Sequence, residues 1–379
     1  MNRFTVIGCM SLGLAGAAVA QEPIAPETLT VETRIPAGPN VFALDQSWAG
    51  ASRINVLSAD DLSMKGNITP GLQAQITVSP DGATLYTTSN YPRRIISGPT
   101  ETVVAEWDVA TLSLKREIVI PSKAAMVEPQ PSMLTLVDGG KYLLVQNATP
   151  ATSVTVVDLA AGAPLVEVPT PGCWGAIPAA SGASFLSLCG DGSLQVSSFA
   201  ADGTVAEPKK TPGVFDPDAD ALFTNPARAG DDLLFASFGG NLYRVTLKDG
   251  TATPGEKFSF TDGMGDWAPG GSEVIGYHEG TGVAFVLMHS GAAEGSHKDP
   301  AEEIWAIDVA GKKVLYRSPA EQQKSITVTK SSPPVLFLAN DDEGIVTRYE
   351  VDPEAKSAAK LTATAEQMGT FVGLLATAE

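Results

Sequence analysis

The four residues Trp107-Asp108-Val109-Ala110 end an apolar stretch of the chain, and the same phrase recurs as Val157-Asp158-Leu159-Ala160 and as Ile307-Asp308-Val309-Ala310. The first two aspartates are 50 residues apart, and the third lies 150 residues, or three such steps, further on. Weaker copies lie near Ser58, Ala200, Lys248 and Glu350. The mean step is about 49 residues, and a period of this length is typical of folds built from repeated supersecondary units.

Each repeat contains short β-rich runs joined by tight turns. Ser79-Pro80-Asp81-Gly82 separates two such runs, and Asp138-Gly139-Gly140 does the same in the next repeat. Gly-containing turns between β-branched and aromatic runs are typical of hairpins. A third strand carries the acidic phrase, and a fourth follows it, as at residues 115–120. Four short strands in each of seven repeats predict an all-β fold, a seven-bladed β-propeller with four-stranded antiparallel blades. A β-sandwich is the alternative, although it requires no repeat of this length.

The two ends of the repeat region indicate how such a ring would close. The first repeat opens at residues 40–44, which resemble the second strand of a blade and not the first. Residues 369–377 are apolar and can supply the missing inner strand. The N-terminal blade would then be closed by the C-terminal strand, which removes two sheet edges at once. On this reading the propeller covers residues 40–379.

Residues 1–20 have the features of a cleaved secretory signal peptide. Arg3 supplies a basic start, residues 6–17 carry no charge, and Ala18-Val19-Ala20 forms a small-residue cleavage site before Gln21. Val6-Ile7-Gly8-Cys9 resembles a lipobox, which leaves a lipoprotein signal as an alternative. Cleavage before Gln21 leaves 359 residues, two cysteines and a net charge of −19, with residues 21–39 as an N-terminal extension. The sequence predicts a protein of the bacterial periplasm.

Composition narrows the classes of partner. The 379 residues are 44% hydrophobic, which supports a sizeable core, and they carry a net charge of −18. Nucleic acids and anionic lipids attract basic surfaces, so neither is an expected partner. The two cysteines of the mature chain, Cys173 and Cys189, lie at the ends of adjacent predicted strands, which favours a structural disulfide. A redox-active pair is the alternative, but the C-x-x-C turn of such pairs is absent.

Residues that could carry chemistry are few. The sequence holds no G-x-S-x-G, H-E-x-x-H or phosphate-binding glycine loop, so no catalytic residue is expected in this chain. All three histidines fall in one stretch: His278 and His289 are placed to face one another across a hairpin, and His297 precedes Lys298 in the next loop. Their spacing matches no zinc pattern. We therefore expect a polar loop site of unknown role, and no metal.

Several segments resemble the heavy subunit of the quinoprotein amine dehydrogenases, and the aromatic (aralkylamine) branch more than the methylamine branch. They occur in order between about residues 40 and 318. These segments are Tyr91-Pro92-Arg93-Arg94-Ile95 through Glu106-Trp107-Asp108, residues 146–153, Gly172-Cys173-Trp174 with Ile177-Pro178, Cys189-Gly190-Asp191-Gly192, Trp267-Ala268-Pro269-Gly270-Gly271, and residues 288–305.

The resemblance implies a periplasmic propeller paired with a small, disulfide-rich light subunit in a complex of two heavy and two light chains. In that family the light subunit carries the tryptophan tryptophylquinone cofactor and the catalytic base. The complex oxidises primary amines to aldehydes and ammonia and passes electrons to a small blue-copper protein of the azurin or amicyanin kind. A phenylalanine that lines the family's substrate channel aligns with Leu72, so Leu72 is the expected channel residue here. The alternative is a loop leucine that contacts only its own blade.

Two other functional classes fit a propeller of this composition. One is a stand-alone periplasmic binding protein without a light subunit, and the other is a hydrolase or lyase whose site lies in the central channel. The binding protein would be purified as a colourless single chain, whereas the dehydrogenase would be purified with a small subunit that shows quinone absorbance.

Overall fold

The computed structural model describes residues 32–378. The chain divides into a segment, Met1–Thr33, and a compact unit, Arg34–Glu379, which carries the fold. The predicted signal peptide and residues 21–31 of the predicted N-terminal extension lie outside the described residues. No helix in the described part is long and apolar enough to span a bilayer.

The compact unit is built almost entirely of short β-strands. The first fifteen are β1 (Asn40–Asp45), β2 (Arg53–Ser58), β3 (Met64–Ile68), β4 (Leu72–Val78), β5 (Thr84–Pro92), β6 (Thr100–Asp108), β7 (Ser113–Ile120), β8 (Leu134–Val137), β9 (Tyr142–Asn147), β10 (Ser153–Asp158), β11 (Ala163–Pro169), β12 (Cys173–Pro178), β13 (Ser184–Cys189), β14 (Leu194–Ser198) and β15 (Lys209–Lys210).

The helical content of the described residues is two single-turn 3-10 helices, Pro131–Met133 and Ser296–Lys298. Fourteen further strands follow the first fifteen in this part of the chain. These strands are β16 (Ala227–Ala229), β17 (Asp232–Ala236), β18 (Asn241–Lys248), β19 (Thr251–Ser259), β20 (Ala268–Pro269), β21 (Ile275–His278), β22 (Val283–His289), β23 (Ala301–Asp308), β24 (Lys313–Gln323), β25 (Ser325–Val328), β26 (Val335–Asn340), β27 (Ile345–Asp352), β28 (Ala358–Ala365) and β29 (Val372–Ala378).

The strands form seven antiparallel sheets, which confirms the predicted seven-bladed propeller. Blade 1 has the strand order β29-β1-β2-β3, blade 2 is β4 to β7, blade 3 is β8 to β11, blade 4 is β12 to β15, blade 5 is β16 to β19, blade 6 is β20 and β21 beside β22-β23-β24, and blade 7 is β25 to β28. Buried apolar clusters join neighbouring blades. Phe42 of blade 1, for example, shares a cluster with Ile76 of blade 2.

The recurring aspartate ends the third strand of its blade and caps the turn that follows. Asp108, Asp158 and Asp308 are the last residues of β6, β10 and β23. In each case Oδ1 accepts a hydrogen bond from the backbone N–H three residues later, at 2.8–2.9 Å. Aspartate favours this position because its short side chain satisfies the turn's own backbone. The repeat detected in the sequence is therefore a repeated turn.

Pairing of β1 with β29 closes the ring, as the sequence predicted. The two strands are antiparallel from Asn40 opposite Ala378 to Asp45 opposite Val372. Asp45 reinforces the junction, because its Oδ1 accepts hydrogen bonds from the backbone N–H groups of Thr370 and Phe371, at 2.9 and 3.0 Å.

The predicted disulfide between Cys173 and Cys189 is present. It joins the facing ends of β12 and β13, where the two cysteines are opposite one another in the register. A loop of this size, with a sequence separation of 16, is stabilised by about 3 kcal/mol in the chain-entropy description.

Blade 6 departs from the regular plan. Its inner strand is interrupted, so that β20 and β21 pair with different parts of β22. The interruption contains Gly270 and Gly271, and it ends at Glu273, which forms a parallel bridge with Ser325 of blade 7.

Removal of the closing strand tests the ring directly. A chain that ends at Phe371 lacks β29 and leaves β1 without its inner neighbour, so we expect loss of the cooperative thermal transition and aggregation on size-exclusion chromatography. Deletion of Glu379 alone keeps β29 and serves as the control. A truncated chain that melts at the full-length temperature would show that the ring does not depend on this junction.

Candidate functional site

A chamber termed the central cavity lies along the inner strands of blades 5, 6, 7 and 1. It has a volume of about 770 Å³ and is bordered by residues of β16, β21, β25 and β29. Each of these strands pairs on one side only, so its other edge faces the axis of the ring. Exposed Glu279 and Lys330 lie at its mouth, and buried Glu273 and Ser325 at its inner end.

The backbone of blade 6 places Glu273 at the inner end of this cavity. Gly271 has φ +127°, and a Cβ there would lie 2.4 Å from the carbonyl oxygen of Lys324. A Cβ on Gly270 would lie 2.5 Å from the carbonyl oxygen of Asp299. Glycine permits both close approaches. The chain therefore leaves the sheet of blade 6 and bonds to blade 7, since Ile326 N–H of β25 donates to the Glu273 carbonyl at 2.9 Å.

Glu273 is a carboxyl group without a cationic neighbour among the described residues. It is 8% exposed, and its Oε1 accepts a hydrogen bond from Asn225 Nδ2 at 2.9 Å. Burial alone raises the pKa of Glu273 well above its ordinary value of 4.5. The half-buried Arg228 lines the same cavity, but its guanidinium donates to the backbone carbonyls of Pro178 and Gly230.

A strap formed by residues 127–130 crosses the axis of the ring at the end opposite the mouth of the central cavity. Glutamine side chains hold this strap in place. Gln46 Nε2 donates to the Val127 carbonyl at 3.0 Å, and Gln130 N–H donates to Gln75 Oε1 at 2.9 Å. Beyond the strap lies a second chamber of about 390 Å³, termed the upper cavity, which Glu128 and Gln130 border. The strap thus ties blades 1 and 2 together over the channel axis.

The three histidines are not brought together. His278 pairs with Val283 and His289 with Ala268, so the expectation that they face one another across the hairpin is wrong. The reason is register: the turn begins directly after His278, and His289 lies at the opposite end of β22. His278 Nδ1 is 3.0 Å from Thr281 Oγ1, and His289 Nδ1 is 2.8 Å from the Ser290 carbonyl.

His297 borders the upper cavity together with Lys298. Its ring stacks on Phe238 with a centroid distance of 4.2 Å, and burial lowers the pKa of its imidazole. Within residues 32–378 no group of three or more His, Cys, Asp or Glu side chains is placed to hold a metal ion.

Leu72, the expected channel residue, begins β4 and is 8% exposed. The preceding residue, Gly71, accepts a hydrogen bond from Ser52 N–H at 3.0 Å, and the Tyr91 ring lies against its Cα. The surrounding loops carry exposed apolar side chains, here called the apolar rim. The rim consists of Trp48, Tyr91, Ile95, Ile96 and Met126. Its members lie on or directly beside the β1–β2, β5–β6 and β7–β8 connections, which share one end of the propeller.

Sequence analysis missed Glu273. The available signal was the pair Gly270-Gly271 directly after Pro269, which breaks an otherwise apolar inner strand just before a lone acidic residue. That signal marks an irregular strand, but the depth of Glu273 depends on blade 7, about fifty residues further along the chain.

These features define an acidic seven-bladed β-propeller with an axial cavity and an apolar rim at one end. The chain matches the methylamine dehydrogenase heavy chain family over residues 40–377 and belongs to that family. It is 25% identical over 322 residues to the methylamine dehydrogenase heavy chain of Methylobacillus flagellatus, covering 83% of this chain and 80% of the relative. The heavy chain of Methylorubrum extorquens is 27% identical over 344 residues, with 88% and 81% covered.

Solved structures agree on the fold. The periplasmic gluconolactonase of Pseudomonas aeruginosa has a TM-score of 0.62 at 14% identity and covers 89% of this chain and 98% of its own. A 6-phosphogluconolactonase-like protein of Bacteroides fragilis has a TM-score of 0.60 at 12% identity, with 93% and 100% covered. At these identities the likeness concerns the fold alone.

Residues of this chain do not fit the quinone expected in the family. That cofactor is made from two tryptophans, and in the described residues Trp267 and Trp305 are the tryptophan rings in contact, with centroids 5.7 Å apart. Trp305 is fully buried, and the Arg317 guanidinium lies over both rings, at 4.4 and 4.6 Å. The pair is a packed cation–π cluster in blade 6.

Substitution of Glu273 by glutamine should make stability less dependent on pH. A pKa raised by folding means that the native state binds the proton more tightly than the unfolded chain does. The free energy of unfolding is therefore unaffected by the ionisation of Glu273 below about pH 4.5, and it falls as the pH rises from there toward the folded pKa. E273Q keeps an acceptor for Asn225 and has no such titration. We expect it to unfold like the wild type at pH 4 and to be more stable than the wild type at pH 8, because the amide has no charge to bury.

Urea denaturation at both pH values measures this difference. Glu279→Gln removes an exposed carboxyl at the mouth of the same cavity and should change stability by less than about 0.5 kcal/mol. Equal pH dependence of E273Q and the wild type would show that Glu273 is ionised in the native protein at neutral pH.

Proposed function

We propose that this chain is the heavy subunit of a periplasmic amine dehydrogenase that oxidises primary amines, with aralkylamines as the preferred class, to aldehydes and ammonia. The observation that carries the amine dehydrogenase assignment is the family match over residues 40–377, together with relatives that are themselves methylamine dehydrogenase heavy chains. The preference for aralkylamines rests on the resemblance of the sequence segments described above. The tryptophan tryptophylquinone and the catalytic base belong to a disulfide-rich light subunit. Electrons leave to a small blue-copper protein.

Within this division of labour the heavy chain is the scaffold and borders the substrate entrance. The apolar rim supports a docking role, since Ile95 is 79% exposed and Ile96 62% exposed at the tip of one hairpin. Exposed apolar groups gathered at one end of a protein are typical of an interaction surface. The light subunit is the partner that the family supplies, and two heavy and two light chains form the complex.

Leu72 lies under this rim, so the same end of the ring would hold the entrance. Its position beside the β1–β2 loop and Tyr91 supports the alignment with the channel phenylalanine of the family. Leucine is smaller than phenylalanine and has no aromatic face for an incoming ammonium group. The entrance would therefore be wider here and less selective for shape.

Purification of the chain from its native source tests the proposal. We expect a small, disulfide-rich subunit to co-purify with quinone absorbance, and dye-linked oxidation of 2-phenylethylamine to exceed that of methylamine. Rigorously separated heavy chain should show neither absorbance nor activity. A colourless single chain would instead support the stand-alone binding protein, and faster turnover of methylamine would overturn the aralkylamine assignment.

Exchange of Leu72 for phenylalanine tests the entrance. In the assembled enzyme, Leu72→Phe should change the ratio of kcat/KM between bulky and small amines by up to roughly tenfold, because a larger ring narrows the path. Leu114→Phe makes the same exchange on the exposed outer strand β7 and should leave the ratio unchanged. If Leu72→Phe, like Leu114→Phe, has the same kcat/KM ratio between bulky and small amines as the wild type, Leu72 does not lie at the entrance.

A further inference from the structure

The central cavity contains an acidic group that neither the scaffold role nor the proposed amine oxidation uses. Glu273 lies at the inner end, bound through Oε1 to Asn225 Nδ2 at 2.9 Å. No described residue donates a hydrogen bond to its other oxygen, Oε2, and no described cation pairs with it. A buried carboxylate is otherwise stabilised by a cation or by several donors, so this group is suited to a cation supplied from outside the protein.

The depth of the cavity separates Glu273 from the charges at its mouth. Ser325, which bridges Glu273, begins β25, and Lys330 lies two residues beyond the end of that strand at Val328. Four residues of strand span about 10 Å. Glu279 lies six residues beyond Glu273, in the turn that directly follows β21. The other titratable groups that border the cavity are Arg228, Tyr277 and His278. Arg228 and His278 are already bonded to Gly230 and Thr281.

The remaining surface offers hydrogen-bond acceptors. Within its sheet each inner strand that borders the cavity pairs on one side only, so its axial edge presents backbone carbonyls wherever it carries no bridge. At the inner end the Glu273 and Lys324 carbonyls already accept from Ile326 N–H and Ser272 N–H. Ser325 Oγ, which donates to the Gly373 carbonyl at 2.8 Å, holds two of these strands together at the inner end. A group with one positive charge and several N–H donors matches a single carboxylate at the end of a cavity whose strand edges carry carbonyls.

We propose that the central cavity binds a small primary ammonium ion through the carboxylate of Glu273. The ionised carboxylate is the form that binds the cation, so a proton held by the Glu273 carboxyl leaves to solvent when the cation binds, and the net charge of the site is then unchanged. Asn225 keeps its hydrogen bond to Oε1, and Oε2 accepts one ammonium N–H. Neutral alcohols of the same shape lack the charge that favours this exchange. This site is separate from any quinone site, and it does not depend on the proposed amine oxidation.

Calorimetric titration of the full chain with tert-butylammonium chloride tests the proposal. This amine has no hydrogen on the carbon next to nitrogen, so dehydrogenation cannot consume it, and tert-butanol is its neutral counterpart. We expect saturable binding of the ammonium ion and none of the alcohol. Affinity should rise with pH as the Glu273 carboxyl ionises, and titrations in two buffers of different ionisation enthalpy should show release of a proton at pH values where that carboxyl is protonated in the free protein.

Two variants locate the site. E273Q should weaken binding by roughly tenfold or more and abolish proton release, whereas E279Q at the mouth should bind within about twofold of the wild type. A crystal soaked with tert-butylammonium should show the ligand beside Glu273. Absence of binding to the wild type, equal binding of the alcohol, or a ligand located elsewhere would each overturn the proposal, and these results do not require the variant to fold.

Discussion

The pairing of β1 with β29 is the constraint on which the rest of the ring depends. Side chains alternate along β1, so Val41 joins a cluster with Phe337 of blade 7, whereas Phe42 joins one with blade 2. Because both faces of β1 are buried, its residues 41–44 form an uninterrupted apolar run. That run is covered only when the last strand of the chain returns beside it. The cavity borders on β29 as well, so the closing strand also forms part of the axial site.

Sequence reasoning succeeded where the determining contacts are local. Asp158 bonds to a backbone group three residues away, so the turn and its period are visible in the sequence, and the ring follows from seven copies. It failed where distant contacts decide. The interruption in blade 6 follows from the approach of Gly271 to Lys324, and the burial of Glu273 follows from that interruption. The pairing of His278 with Val283 is set by the residue at which the β21–β22 turn begins, and the period of the repeat does not determine that residue.

The two ends of the propeller differ in character, and this difference assigns them different roles. One end carries the apolar rim, the strap of residues 127–130 and the hairpin whose tip places Arg93 and Arg94 beside Ile95 on an otherwise acidic protein. Such a surface suits a protein partner, because apolar area supplies affinity and charge supplies orientation. The mouth of the central cavity is formed by turns at the opposite end, where Glu279 and Lys330 lie. A partner on the rim would therefore leave the cavity open to solvent.

The fold of blade 6 does not by itself require a carboxyl group at position 273. The geometry requires one acceptor for Asn225, and the amide oxygen of glutamine would meet that need. Burial disfavours the charged form of glutamate and raises its pKa, whereas an amide has no charge to bury. What a carboxyl adds is the ability to give up a proton and to hold a positive charge in its place. An isolated, buried carboxyl at the end of an open cavity is therefore better explained by a ligand than by the fold.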